Sequence, residues 1–166
     1  FGIQTGKVKS SKAFAIGYQL TEMEAAEFAH KCLHDFIVND IYINELMPQN
    51  GYAAYIAIAK LPGVTDDEGT SAQKALSDYL NTPIDTRTQH IFSQEIYYIQ
   101  NPLTPVELQT LANELGNPLI NQFNFAAHKT LTTDKLYIPE VRVKADDSVL
   151  AIDINLPDDA LMQLSK

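Results

Sequence analysis

The sequence predicts an α+β fold of two-layer antiparallel sheets with helices on one face, arranged as tandem β-α-β-β-α-β (ferredoxin-like) units of which the first is truncated. Three observations carry this. Runs such as "YAAYIAIAK" (Tyr52–Lys60) and "EIYYIQ" (Glu95–Gln100) have strand period and β-branched or aromatic content. Runs of helical spacing lie between them. Finally, two parts of the chain repeat each other. "SSKAFAIGYQLTEMEAAEFAHK" (Ser10–Lys31) sets over "SQEIYYIQNPLTPVELQTLANE" (Ser93–Glu114) at a shift of 83 residues. Ser10, Ile16, Leu20, Thr21, Glu24 and Ala29 then meet Ser93, Ile99, Leu103, Thr104, Glu107 and Ala112.

Taken in order, Phe14–Tyr18 reads as a short strand and Thr21–His34 as a helix with a mostly apolar face. "IVNDIYI" (Ile37–Ile43) is β-branched and reads as a strand, followed by a turn at Pro48–Gly51. Tyr52–Lys60 is a strand and Thr65–Leu80 a helix. Thr86–Phe92 and Glu95–Gln100 read as a strand pair. Thr104–Leu115 is a helix ended by Gly116, with Pro118 soon after, and Leu119–Phe125 is a strand. Ala126–Leu136 reads as a connector. Val141–Lys144 and Val149–Ile154 flank a hairpin-like "ADDS" turn, and a helix over Leu156–Leu164 starts with Pro157, Asp158 and Asp159.

The repeat divides the chain into a truncated first unit (1–50), a complete second unit (51–126) and a connector with hairpin and helix start (127–166). Both repeated helices carry Thr-x-x-Glu, Thr21/Glu24 and Thr104/Glu107, the pattern of a capping box. Past the first of these helices the shift drops to 82, so the first copy holds one extra residue near its helix end. Asn39, Ile41 and Ile43 then meet Asn121, Phe123 and Phe125. One helix layer covers one face of a sheet, so the other face is expected to meet a second sheet or another domain. The chain opens on Phe1, and further sequence is expected at both ends.

Composition narrows the function. Net charge is −9, with 21 acidic against 12 basic residues, and no basic stripe of the kind that tracks nucleic acid. Lys7, Lys9 and Lys12 read as a solvated strand edge. No apolar run approaches a membrane span. The single Cys32 excludes an intramolecular disulfide and points to a reducing, cytoplasmic location. Cys32 is expected in the core, on the apolar side of its helix.

Two clusters invite chemical readings. His30 and His34, with Cys32 and Asp35 nearby, have the i, i+4 spacing of zinc ligands but lack a further ligand on the same face, so no metal site is assigned. "LPGVTDDEG" (Leu61–Gly69) holds three consecutive acids. Consecutive carboxylates diverge, unlike the alternating ligands of a calcium loop, and they repel phosphate. Thr65 and Glu68 form a third capping-box pattern, which leaves Asp66 and Asp67 exposed at the turn as candidates for an interdomain contact. No catalytic or cofactor-binding residue is assigned.

"LPGVTDDEGTSAQKAL" followed by "SQEIYYIQNPLTPVELQTLANELGNPLINQFNF" resembles the small-subunit family of formylglycinamidine ribonucleotide synthase. The resemblance rests on a strand, the V-x-D-x-x-G turn of Val64, Asp66 and Gly69, and a capped helix ending in Leu115, Asn117 and Ile120. It covers Tyr52–Phe125, and Ser10–Ile43 more loosely. In the single-chain form of that enzyme two such units stand in tandem at the N-terminus, and "INLPDDALMQLSK" is similar to the segment entering its next domain. The resemblance implies a noncatalytic structural and coupling region in purine biosynthesis. ATP, magnesium and glutamine would be handled by later synthetase and glutaminase domains, its expected partners. A stand-alone ferredoxin-like module that binds a small metabolite at a dimer interface is the alternative, and a metal-dependent enzyme using His30 and His34 is a third class.

Overall fold

The computed structural model describes residues 2–85, 90–127 and 130–139, together with Pro157. It is an α+β fold. Four antiparallel strands, β1 (Val8–Ile16), β2 (Ala54–Lys60), β3 (Ile91–Ile99) and β4 (Asn121–Ala127), lie in the order β1-β3-β2-β4. Helices α1 (Glu22–Phe28), α2 (Asp67–Leu80) and α3 (Pro105–Leu115) connect them. The expected hairpin, and the helix over Leu156–Leu164 apart from Pro157, lie outside the described residues.

The repeat is visible in the element bounds. Shifting β1 by 83 residues gives the bounds of β3, and shifting the start of α1 gives the start of α3. The capping boxes expected on the two repeated helices form. Thr21 Oγ1 accepts from the Glu24 amide at 3.2 Å while the Thr21 amide donates back to Glu24 at 2.8 Å. Thr104 and Glu107 repeat this at 3.3 and 2.8 Å. A π turn, Ala29–Leu33, continues α1. An i→i+5 turn takes up one residue more than an α turn, so it sits where the shift falls from 83 to 82.

The two copies do not make two sheets. β1 pairs with β3 in the register Val8–Ile99 through Ile16–Ile91, and Lys12 lies opposite Glu95, its own repeat equivalent. Shifting by 83 converts each pair of this ladder into another pair of the same ladder, so the copies meet about a local twofold relation. β1 therefore fills the edge of the sheet beside β3. That correction bears on the strand pair expected at Thr86–Phe92 and Glu95–Gln100. The second of these belongs to one continuous strand, β3, and Ile91 and Phe92 open that strand. Thr86–Gln89 lie outside the described residues. The lysines Lys9 and Lys12 do stand on an edge strand, as their spacing predicts.

All three helices pack on one face. Ile56, Ile58 and Ile99 meet Leu108 and Ala112 of α3, and Ile91 and Phe14 meet Phe28 of α1 and Leu76 of α2. The other face buries Tyr55, Ala57, Ile96 and Tyr98 under Met47, Tyr42 and Leu131. Two loops, rather than a second sheet, cover it. The second of them, residues 130–139, is held by two glutamines, Gln94 of β3 and Gln49 of the first loop, whose amides both donate to and accept from its backbone. Gln94 holds Tyr137 at 2.7 and 3.0 Å, and Gln49 holds Leu131 at 2.8 and 2.9 Å. These amides satisfy loop groups that would otherwise be buried without partners.

Residues 37–43 are not a strand. A strand needs a neighbour for its amides and carbonyls, and on this side of β1 the described residues supply none. Gly116 ends α3 in extended backbone, φ −146°, so its role is not conformational. A Cβ there would stand 2.9 Å from the Phe123 ring, so the small residue admits β4 beside the helix end.

Gly116→Ala is expected to lower stability by about 1–3 kcal/mol through overpacking, and Phe123→Leu in the same chain should recover part of that in urea melts. The capping glutamates carry a pH signature. Hydrogen bonds from the Thr21 hydroxyl and amide lower the Glu24 pKa, and the Thr104 amide and hydroxyl lower that of Glu107. A lowered carboxylate pKa stabilises above the unfolded-state value and loses that effect as pH falls through the folded-state value. Stability should therefore decline as pH drops below the ordinary glutamate range, and Glu24→Gln with Glu107→Gln should make that decline shallower.

Candidate functional site

The acidic turn is built by two devices. Pro62 and Gly63 occupy the centre of a turn closed by the Val64 amide donating to Leu61 O at 3.0 Å, with Gly63 at φ +82°. That is the type II pattern, in which glycine takes the left-handed position. Asp66 then caps α2. This corrects the expected Thr65/Glu68 box. Asp66 wins because its carboxylate has a second use. It accepts from the Gly69 amide at 2.9 Å, from the Ser93 hydroxyl at 2.6 Å and from the Ser93 amide at 2.7 Å. Pairing of β2 with β3 ends at Ala59–Gln94, and Asp66 takes the next amide of β3.

Asp66 is therefore 4% exposed, not at the surface as its sequence context predicts, whereas Asp67 is exposed. Glu68 forms an ion pair with Lys12 of β1. The turn joins four elements.

The histidines sit on the π turn and just beyond it. The His30 and His34 rings meet edge-on with centroids 5.4 Å apart, and His34 Nε2 donates to Asn39 O at 2.8 Å. Asp35 accepts from the Ile37 amide. Cys32 is exposed, which corrects its expected place in the core. The π turn alters the facing of the side chains that follow it, and Leu33 packs against the α1–α2 core instead. Among the described residues, no group of three His, Cys, Asp or Glu is placed to hold a metal.

A concave feature lies along β1. An open groove of about 1340 Å³ runs between this strand, the α1–π segment and residues 38–47. Glu22, Asp40, Glu45, Asp67, Glu68 and Glu95 line it against Lys9 and Lys12. Such a field disfavours phosphates and nucleotides. Tyr97 also lines it and donates its hydroxyl to Glu95 at 2.8 Å. Burial, then that hydrogen bond, pushes its pKa up to about 12, so it is a hydrogen-bond donor rather than a base near neutral pH. Beside the groove, Phe36, Ile37 and Val38 are 83%, 80% and 72% exposed. A strand edge without a partner among the described residues, with adjoining apolar side chains, is suited to polypeptide.

Sequence reasoning singled out the acidic turn and missed this groove. The signal was present in the repeat, because the shift of 83 carries β3 back onto the whole of Val8–Ile16 rather than the shorter Phe14–Tyr18. Comparison of the chain with protein families, curated proteins and solved structures finds no match. Among the described residues, no helix is long and apolar enough to cross a membrane.

Asp66→Ala should cost about 3 kcal/mol, combining a lost cap of about 1 kcal/mol with a buried amide left unpaired. Asp67→Ala should stay within about 0.5 kcal/mol. Denaturant melts of both variants check this, and equal losses would contradict the assignment of the cap.

Proposed function

We propose that this chain is a noncatalytic structural and coupling region from the N-terminal part of phosphoribosylformylglycinamidine synthase. The observation that carries the reading is the tandem repeat, whose copies share strand bounds, helix starts and capping boxes. The order of turn, helix, strand, capped helix and last strand supports it in the second copy. On this reading the chain is a cytoplasmic part of an ATP- and glutamine-dependent ligase of purine biosynthesis. ATP and magnesium are bound by later domains, and this region holds synthetase and glutaminase parts together so that ammonia passes between them. The isolated chain can self-associate as a homodimer. Asp67, exposed on the acidic turn, is the residue through which this face would meet a neighbouring domain.

The reading frame that encodes the chain is expected to run on into a glycine-rich synthetase part and a cysteine–histidine glutaminase. The purified chain should show neither glutaminase nor ATP-dependent amidine formation, and should bind the synthetase part supplied separately. Either activity in the chain alone, or no binding, would overturn the reading. In the whole enzyme, Asp67→Lys should lower glutamine-dependent amidine formation several-fold while ammonia-dependent formation persists. Equal activity with both nitrogen donors would remove the Asp67 contact alone.

A further inference from the structure

The two copies also differ in what flanks their first strands. Strand β3 has a neighbour on each side, β1 and β2, whereas among the described residues β1 has β3 alone. Exchange of the copies carries β3 onto β1 and maps their ladder onto itself. The same exchange carries the place of β2 to the open side of β1.

Three further observations converge there. The Gly17 amide donates to His90 O at 2.7 Å and the Gln100 amide to Lys7 O at 3.0 Å. Odd positions of β1 thus bond to β3, and the amides of Ser10, Lys12 and Phe14 point to the open edge, because the pattern alternates along an antiparallel pair. Residues 38–47 line the groove along this edge. The shift of 82 places Asn39, Ile41 and Ile43 on Asn121, Phe123 and Phe125 of β4, the strand that flanks β2 on its other side. The first copy keeps sequence counterparts of both neighbours of a β2-type strand, while the described residues hold no such strand beside β1.

We propose that the groove along β1 is a strand-acceptor site that takes an extended polypeptide segment of the β2 type, antiparallel to β1. The occupant alternates small and β-branched side chains, as Ile56–Ala59 of β2 does. It carries basic flanks, complementary to the acidic lining of the groove. Main-chain hydrogen bonds from Ser10, Lys12 and Phe14 supply the seat, and the exposed Phe36, Ile37 and Val38 supply apolar contact. The proposal stands on the repeat and the register, independently of the enzyme assignment.

The probe is a peptide with the sequence YAAYIAIAK and added lysines at both ends, titrated into the full chain with calorimetry and amide hydrogen exchange. The expected result is one peptide per chain, with exchange at Ser10, Lys12 and Phe14 slowed at least tenfold and a scrambled peptide inert. Ser10→Pro removes an outward amide without breaking the bonds to β3, and should weaken binding at least tenfold with an unchanged melting temperature. If that variant misfolds, the exchange pattern of the unmodified chain decides. No binding, or slowing confined to other residues, overturns the proposal. So does protection of the same three amides in the peptide-free chain with a doubled mass, which would assign the edge to a second copy.

Discussion

The antiparallel ladder between β1 and β3 is the constraint on which the rest of the molecule depends. Its register places Lys12 opposite Glu95, and those two residues are equivalent positions of the repeat. That single coincidence makes the ladder self-complementary and brings both copies into one sheet. It also fixes which side of β1 faces the core. A slip of one residue would turn Phe14 and Ile16 away from Phe28 and Leu76.

From this ladder the helices follow. Positions 91 and 99 share a face of β3, so α1 and α2 cover one end of that face and α3 the other. Asp66 secures the join by capping α2 and bonding the Ser93 amide, and Glu68 reaches across to Lys12. The opposite face is held by side-chain amides. Gln94 and Gln49 each grip the same loop through a donor and an acceptor, which lets irregular backbone lie over Tyr98 and Ile96.

Local signals in the sequence were legible where the physics is local. The Thr21/Glu24 and Thr104/Glu107 boxes, the Pro62-Gly63 turn and the β2 pattern need only neighbouring residues, and each forms as its sequence predicts. The errors fall where a distant group decides. Thr65 and Asp66 are both competent caps, and the Ser93 amide, 27 positions away, selects the aspartate. The β-branched run 37–43 has strand propensity but no partner among the described residues. Cys32 leaves the core because it lies within the π turn that the extra residue forms. The open side of the groove was not legible locally, for the same reason. An unpaired edge is a property of sheet order, and sheet order follows from long-range pairing.

The site's character agrees with a role in holding polypeptide. Its charged side chains are mostly acidic, Tyr97 is a donor, and His34 bonds to backbone. The account rests on the register of the central ladder, which cross-strand Hα–Hα nuclear Overhauser effects read directly. Non-hydrogen-bonded pairs bring the two Cα atoms within about 4.5 Å. The account predicts strong effects between Ser10 and Tyr97, Lys12 and Glu95, and Phe14 and Ser93. The same effects displaced by one or two residues, or their absence from β1, would contradict it.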